Sequence, residues 1–292
     1  MTKNLPHLLF ESQKPNNIGI EILTIESLFE RKDDQEHNPE KAHQVAFNMI
    51  VFYTEGISKH LVDFVWHPVK KNTIIHISKG QVNAFQFNDK LKGFIVLFTE
   101  DYLKKQLNSL PKNEIDRLFN AQLFSPIMQV PRTSNVAEYI QLFYEEYRDT
   151  EEDYNQESTY NALYSIIFSK LERLKQYQTF HLKHSDKLNT FLNFKALLET
   201  NYKQSRNADF YAEKLNITYK HLNTISKNII SLTAKQFIDA FLVLEAKRLL
   251  MNSEIKSTEL AYLLGFEEPT NFVKYFKKHT GFTPNQFKKE YI

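Results

Sequence analysis

The chain has 292 residues, 42% of them hydrophobic and 14% aromatic, which is enough for two packed domains and argues against general disorder. It contains no cysteine, so disulfides, thiolate metal sites and cysteine nucleophiles are excluded. Its formal net charge of +2 is unevenly spread: residues 186–292 hold 16 basic and 11 acidic side chains, residues 1–185 hold 21 and 24. A basic C-terminal part beside an acidic N-terminal one fits a nucleic-acid-binding module attached to something else.

The N-terminus lacks a basic flank followed by an apolar signal stretch, and no run approaches the ~18 apolar residues of a membrane span. The expectation is a cytoplasmic protein that does not engage a membrane. Ile20–Leu28, Val45–Tyr53, Ile57–Trp66, Thr73–Ile77, Val82–Phe87 and Phe94–Phe98 read as strands, separated by turn signals at Glu55-Gly56, His67-Pro68, Lys79-Gly80 and Asn88-Asp89. Their close spacing predicts an antiparallel barrel or sandwich. Arg31–Lys41 reads as a loop.

After Thr99 the pattern turns helical. Glu100–Leu107 and Lys112–Phe119 read as short helices and Val136–Arg148 as a longer one. Beyond an acidic connection at Asp149–Glu157, Tyr160, Leu163, Tyr164, Ile167, Leu171 and Leu174 recur at helical spacing. The two long helices form an apolar hairpin that packs on the barrel, offers a dimer surface, or does both. Polar Gln178–Asp186 reads as a linker. This gives residues 1–177 as one domain, 178–186 as linker and 187–292 as a second, all-helical domain.

That second domain contains an internal repeat. Ala212, Leu215, Asn216 and Ile217 recur 49 positions later as Ala261, Leu264, Gly265 and Phe266. Ser231–Phe237 matches Gly281–Phe287 at an offset of 50, so one residue is inserted between the halves of the second copy. In each copy the alanine lets two helices cross closely and the leucine is buried beneath the crossing. Asn216 and Gly265 suit a left-handed helix end, and Ile217 and Phe266 turn back into the core. A second helix follows, capped by Thr218 in the first copy and opened by Pro269 in the second. This is the helix-turn-helix layout, whose second helix enters the major groove. Thr233–Asn252 reads as one helix of ~30 Å, about long enough to set both reading helices on successive grooves ~34 Å apart.

These residues resemble the AraC/XylS family of regulators over roughly Leu188–Lys289. The resemblance is carried by Glu259-Leu260-Ala261 with Gly265-Phe266, Asn271-Phe272, Phe276-Lys277-Lys278 and Gly281-Phe282-Thr283-Pro284. Ala246-Lys247-Arg248-Leu249-Leu250 adds to it on the linking helix. Ser226 stands where the family has Phe, and Ser231 where it has Gly. The expected core of the two units is Ala212, Leu215, Ile217, Leu222, Ala261, Leu264, Gly265, Phe266, Phe272 and Phe276.

With Leu222 and Ile225 inward, Lys220, Asn223, Thr224 and Lys227 face outward on the first reading helix. There Asn reads adenine and Lys takes guanine or phosphate. On the second, Thr270, Asn271 and Lys274 face the bases while Lys277 and Lys278 lie near phosphates. Matching these positions to the family implies the same DNA-binding roles. It also implies a homodimer, a small-molecule effector and RNA polymerase as partners.

His60-Leu61-Val62-Asp63-Phe64, Lys79-Gly80-Gln81-Val82 and Gly93-Phe94 with Phe98-Thr99 resemble the family's cupin-like sensor domain. The fold class expected is therefore α+β: a cupin-like β-barrel with a helical hairpin, then two helix-turn-helix units joined by a long helix. The alternative is a cupin-like ligand-binding protein or enzyme with a helical appendage. Against an enzyme stand the scattered His60, His67 and His76, with no His-x-His pair, and only six glycines and no nucleophile elbow or phosphate loop. No metal, cofactor or catalytic residue is expected.

Overall fold

The computed structural model describes residues 5–12, 18–30, 38–107, 125–131, 133–148, 155–179, 186–252 and 255–291. The expected helix at Lys112–Phe119, most of the Arg31–Lys41 loop, most of the acidic connection and the heart of the linker lie outside these residues. The chain divides into two compact units, Pro6–Phe180 and His181–Ile292. The second takes in Leu5, whose amide donates to the Met251 carbonyl at 2.8 Å.

Among the described residues the first unit has ten strands: β1 (His7–Leu8), β2 (Ile20–Thr24), β3 (His43–Val45), β4 (Asn48–Glu55), β5 (Ile57–Val62), β6 (Val65–Lys70), β7 (Thr73–Ile77), β8 (Val82–Phe85), β9 (Lys92–Phe98) and β10 (Ile127–Gln129). They form two open five-stranded sheets, ordered β1-β3-β8-β5-β6 and β10-β7-β4-β9-β2. The expected antiparallel strands are present, but as a double-layered sandwich and not a closed barrel. Between the sheets pack Val45, Val62, Val69 and Phe85 from one and Met49, Val51, Tyr53, Ile75, Ile77 and Ile95 from the other.

Two strand readings need correction. The expected strand Ile20–Leu28 stops at Thr24, and helix α1 (Ile25–Glu30) begins. Thr24 Oγ1 accepts the Ser27 amide at 3.1 Å, a helix cap that ends the strand. The expected strand Ile57–Trp66 is a hairpin that turns at Asp63-Phe64, both with positive φ (47° and 67°), with Val62 paired to Val65. The Asp63 carboxylate holds this turn by accepting from Gln81 Nε2 and the Val82 amide. His67-Pro68 then lies inside β6, at the sheet edge, where a missing N–H costs no ladder bond.

Helices α2 (Glu100–Leu107), α3 (Val136–Arg148) and α4 (Gln156–Thr179) cover the outer face of the second sheet. Strand alternation explains the two layers. On β4, Ile50 and Phe52 face the helices while Met49, Val51 and Tyr53 face the sandwich interior. Val136, Ile140, Phe143 and Tyr147 of α3, with Tyr160, Leu163, Tyr164, Ile167 and Leu171 of α4, complete the outer core. The hairpin thus packs on the sheet. Helix α4 runs through Gln178 and ends at Thr179, and a new helix begins at Asp186, so both ends of the expected linker are helical.

The second unit contains α5 (Asp186–Asn201), α6 (Ala208–Lys214), α7 (Tyr219–Ile230), α8 (Ala234–Asn252), α9 (Ser257–Leu263), α10 (Pro269–Thr280) and α11 (Pro284–Tyr291). Its first core gathers Phe191, Phe194, Tyr211 and Phe237, with Phe194 5.6 Å from both Tyr211 and Phe237. The second gathers Phe266, Phe272, Phe276 and Phe287 through ring contacts of 5.4–5.8 Å.

Candidate nucleic-acid interface

The two turns are the same hydrogen-bonded motif. In the first, the Asn216 amide donates to the Glu213 carbonyl and the Ile217 amide to the Ala212 carbonyl, both at 3.0 Å. In the second, Gly265 donates to Tyr262 at 3.0 Å and Phe266 to Ala261 at 2.9 Å. This double bond set closes a helix when its penultimate turn residue is left-handed. Asn216 (φ 55°) and Gly265 (φ 76°) both are.

The second helices, α7 and α10, are each 12 residues long and aligned at the offset of 50. The inserted residue is therefore Glu267, between Phe266 and the residue that caps α10. Each reading helix ends on a left-handed residue, Ser231 or Gly281, bonded back to Lys227 or Lys277. Each is then followed by the same reciprocal cap. Thr233 and Gln236 exchange side-chain-to-amide bonds at 2.8 and 3.1 Å, and Thr283 and Gln286 at 2.9 and 3.3 Å.

The expected core residues divide between the copies. Ala212, Leu222, Ala261, Leu264, Phe266, Phe272 and Phe276 are buried. Leu215 and Ile217 are only half-buried, so the first turn is more open than the second. Gly265 is exposed and belongs to the core only through its backbone. A Cβ there would lie 1.9 Å from the Lys203 carbonyl oxygen, in the connection between α5 and α6.

Among the expected contact residues, Lys220, Thr224 and Lys227 on α7 are exposed, as are Thr270, Asn271, Lys274, Lys277 and Lys278 on α10. Asn223 does not face fully outward. It is half-buried, and its Oδ1 accepts the Ala234 amide at 3.0 Å, capping α8. Bidentate adenine recognition uses both amide ends, and the Asn223 Oδ1 is already engaged by the cap, which leaves Nδ2 as its uncommitted end.

The sequence reading overlooked a cleft of about 400 Å³ lined by Arg206, Lys235, Phe266, Glu267, Asn271 and Tyr275. The Arg206 guanidinium lies 3.9 Å above the Phe266 ring, and its Nη1 donates to the Gly265 carbonyl at 3.4 Å. Tyr275 Oη donates to Asp239 Oδ1 at 2.8 Å, and Lys235 pairs with the same carboxylate. Arg206 and Tyr275 do not stand out in the repeat, because each acts through a partner distant in sequence.

Residues 211–290 match the sequence profile of a helix-turn-helix domain. The chain is similar to the Msm operon regulatory protein of Streptococcus mutans, with 26% identity over 130 residues, covering 44% of this chain and 46% of that protein. It is also similar to the HTH-type transcriptional activator RhaS of Escherichia coli, with 26% identity over 94 residues, covering 32% and 34%. The C-terminal domain is thus similar to the helix-turn-helix domains of AraC/XylS regulators.

The chain spans less than half the length of these two relatives. Among solved structures, ToxT of Vibrio cholerae O395 aligns over 85% of this chain and 90% of its own, at 15% identity and a TM-score of 0.46. Among the described residues no helix is long and apolar enough to cross a membrane.

Proposed function

We propose that the whole chain is a sequence-specific transcription regulator, acting as an activator, whose AraC-type domain reads two successive major-groove segments of duplex DNA. The observation that carries this reading is the repetition of one turn motif, one 12-residue helix and one reciprocal cap at offsets of 49 and 50. A duplicated unit with exposed polar and cationic side chains on both second helices suits a ligand that itself repeats, as the double helix does. Lys220, Thr224 and Lys227, with Asn223 through Nδ2, are the candidate contacts of the first segment. Thr270, Asn271 and Lys274 are those of the second, with Lys277 and Lys278 at phosphates.

The N-terminal unit is read as a sensor and dimerisation domain, with a small molecule as effector and RNA polymerase as the further partner. Leu142 on α3 and Ile166 on α4 are exposed and apolar on the hairpin, which supports it as the homodimer surface. The alternative, a cupin-like ligand-binding protein or enzyme with a helical appendage, leaves the duplicated unit without a purpose. Selection of bound sites from random duplexes by the full chain tests the proposal. Enrichment of a two-segment sequence supports it, and recovery of no preferred sequence refutes it.

A further inference from the structure

Two reading helices find their bases together only if their mutual distance and angle match the duplex. A shift of one base pair moves the second segment by ~3.4 Å and rotates it by roughly 35°. Apart from Ser226, the buried faces of α7 and α10 are apolar, and apolar contact is not directional. A hydrogen bond is directional.

Each reading helix carries one such bond to the linking helix α8, and the two bonds are not copies of each other. On α7 it is Asn223 Oδ1 with the Ala234 amide, and on α10 it is Tyr275 Oη with Asp239 Oδ1. At the offset of 50, Val273 stands in place of Asn223, Ile225 in place of Tyr275 and Lys289 in place of Asp239. The two ties therefore occupy non-equivalent positions of the repeat.

Their attachment points on α8 lie five residues apart, ~7.5 Å along its axis. The full length of that helix, the spacer expected from the sequence, is not what separates the two ties. The Tyr275 tie is braced on both sides. Its ring packs at 5.4 Å from Phe266, which lies beneath the Arg206 guanidinium, while Lys235 holds the Asp239 carboxylate from within α8. Burial, with the Asp239 carboxylate adding to it, raises the Tyr275 phenol far above its ordinary value, so it stays a donor at any working pH.

We propose that Tyr275, through Asp239, is a positioning residue that fixes the spacing between the two DNA segments the domain accepts. The inference rests on the regulator reading above.

The test uses the full chain and its selected site, together with sites whose two segments are moved one base pair closer or farther. The wild type is expected to lose roughly tenfold or more in affinity at either altered spacing. Tyr275→Phe is expected to lower the melting temperature by only a few degrees while the ratio between native and altered spacing falls to within about threefold. Asp239→Asn, which retains an acceptor oxygen, should keep most of the discrimination, and Asp239→Ala should behave as Tyr275→Phe. Full spacing discrimination in Tyr275→Phe overturns the inference alone. So does an equal loss on all spacings, which marks a structural role only. A wild type that selects no sequence overturns the regulator reading and this inference with it.

Discussion

Asn216 and Gly265 stand 49 residues apart, share the left-handed conformation and close their helices with the same pair of amide-to-carbonyl bonds. The environments of the two differ. Gly265 sits against the Lys203 carbonyl with no room for a side chain, whereas Asn216 is exposed. The second turn is wedged under the connection between α5 and α6, and the first is open.

Gly265→Ala should therefore be severe. The added Cβ meets backbone at 1.9 Å and sits at a φ of 76° that disfavours it. The expected loss is roughly 2–4 kcal/mol of stability, from strain and overpacking together. Thermal unfolding followed by far-UV circular dichroism would show it as a lower helical transition. An unshifted transition would mean that the close approach is absent.

The two departures from the family pattern are opportunities for stabilisation. Ser226, at the place of Phe276, is fully buried and its Oγ has no hydrogen-bond partner among the described residues. Ser226→Ala should be neutral or stabilising by up to ~1 kcal/mol, since an unsatisfied buried hydroxyl is removed. Ser231 is held at φ 59° on the surface, where Gly281 stands in the second copy. Ser231→Gly should gain about 0.5–1 kcal/mol by relieving left-handed strain. Urea midpoints of the two variants check both expectations.

A buried polar chain crosses the N-terminal sandwich, and its proton directions are fixed by its end. The Lys41 carbonyl can only accept, so His43 Nδ1 donates to it at 2.9 Å. His43 Nε2 then accepts from Asn83 Nδ2 at 2.8 Å, Asn83 Oδ1 accepts from His60 Nε2, and His60 Nδ1 accepts from the Tyr53 hydroxyl at 2.5 Å. Every group is satisfied only if His60 is neutral. Burial, aided by nearby His67 and opposed by the Asn83 bond, lowers its pKa from 6.5 to about 3.

Above pH 6.5 this histidine is neutral both folded and unfolded and adds no pH dependence. Below it the unfolded chain takes up a proton that the folded chain refuses. Stability then falls toward pH 3 by at most ~1.4 kcal/mol per unit. Urea unfolding read by Trp66, the chain's one tryptophan, should show ~2 kcal/mol less stability from this source at pH 5 than at pH 7. Tyr53→Phe, which leaves Nδ1 without its donor, should cost ~1–3 kcal/mol at neutral pH. An unchanged midpoint between the two pH values would contradict the neutral chain.

If Lys274 reads a base, Lys274→Ala should weaken binding to the selected site by roughly 1–3 kcal/mol and relax preference at one position. If Lys278 takes a phosphate, Lys278→Ala should weaken binding to all duplexes alike and flatten the salt dependence. Competition binding at several salt concentrations separates the two roles.

The duplicated unit was legible because its signals are local: a small residue at the crossing, a left-handed position, a cap and a fixed spacing. Thr218 and Pro269 open their helices as the sequence indicated. The hairpin turn at Asp63-Phe64 was hidden because neither residue is Gly, Pro or Asn, and the turn is held by Gln81 and Val82 from another strand. Asn223 misled for a related reason. Helical periodicity gives a face, but the Ala234 amide that claims its oxygen belongs to the next element. The Tyr275–Asp239 tie and the buried histidine chain were invisible for the same cause, since long-range polar partners leave no periodic trace.

Footprinting of the full chain on its selected duplex tests the central claim most directly. The account predicts two protected major-groove segments for each protomer, about one helical turn apart on one face of the DNA. Protection of a single segment, or of none above the level on random sequence, would contradict it.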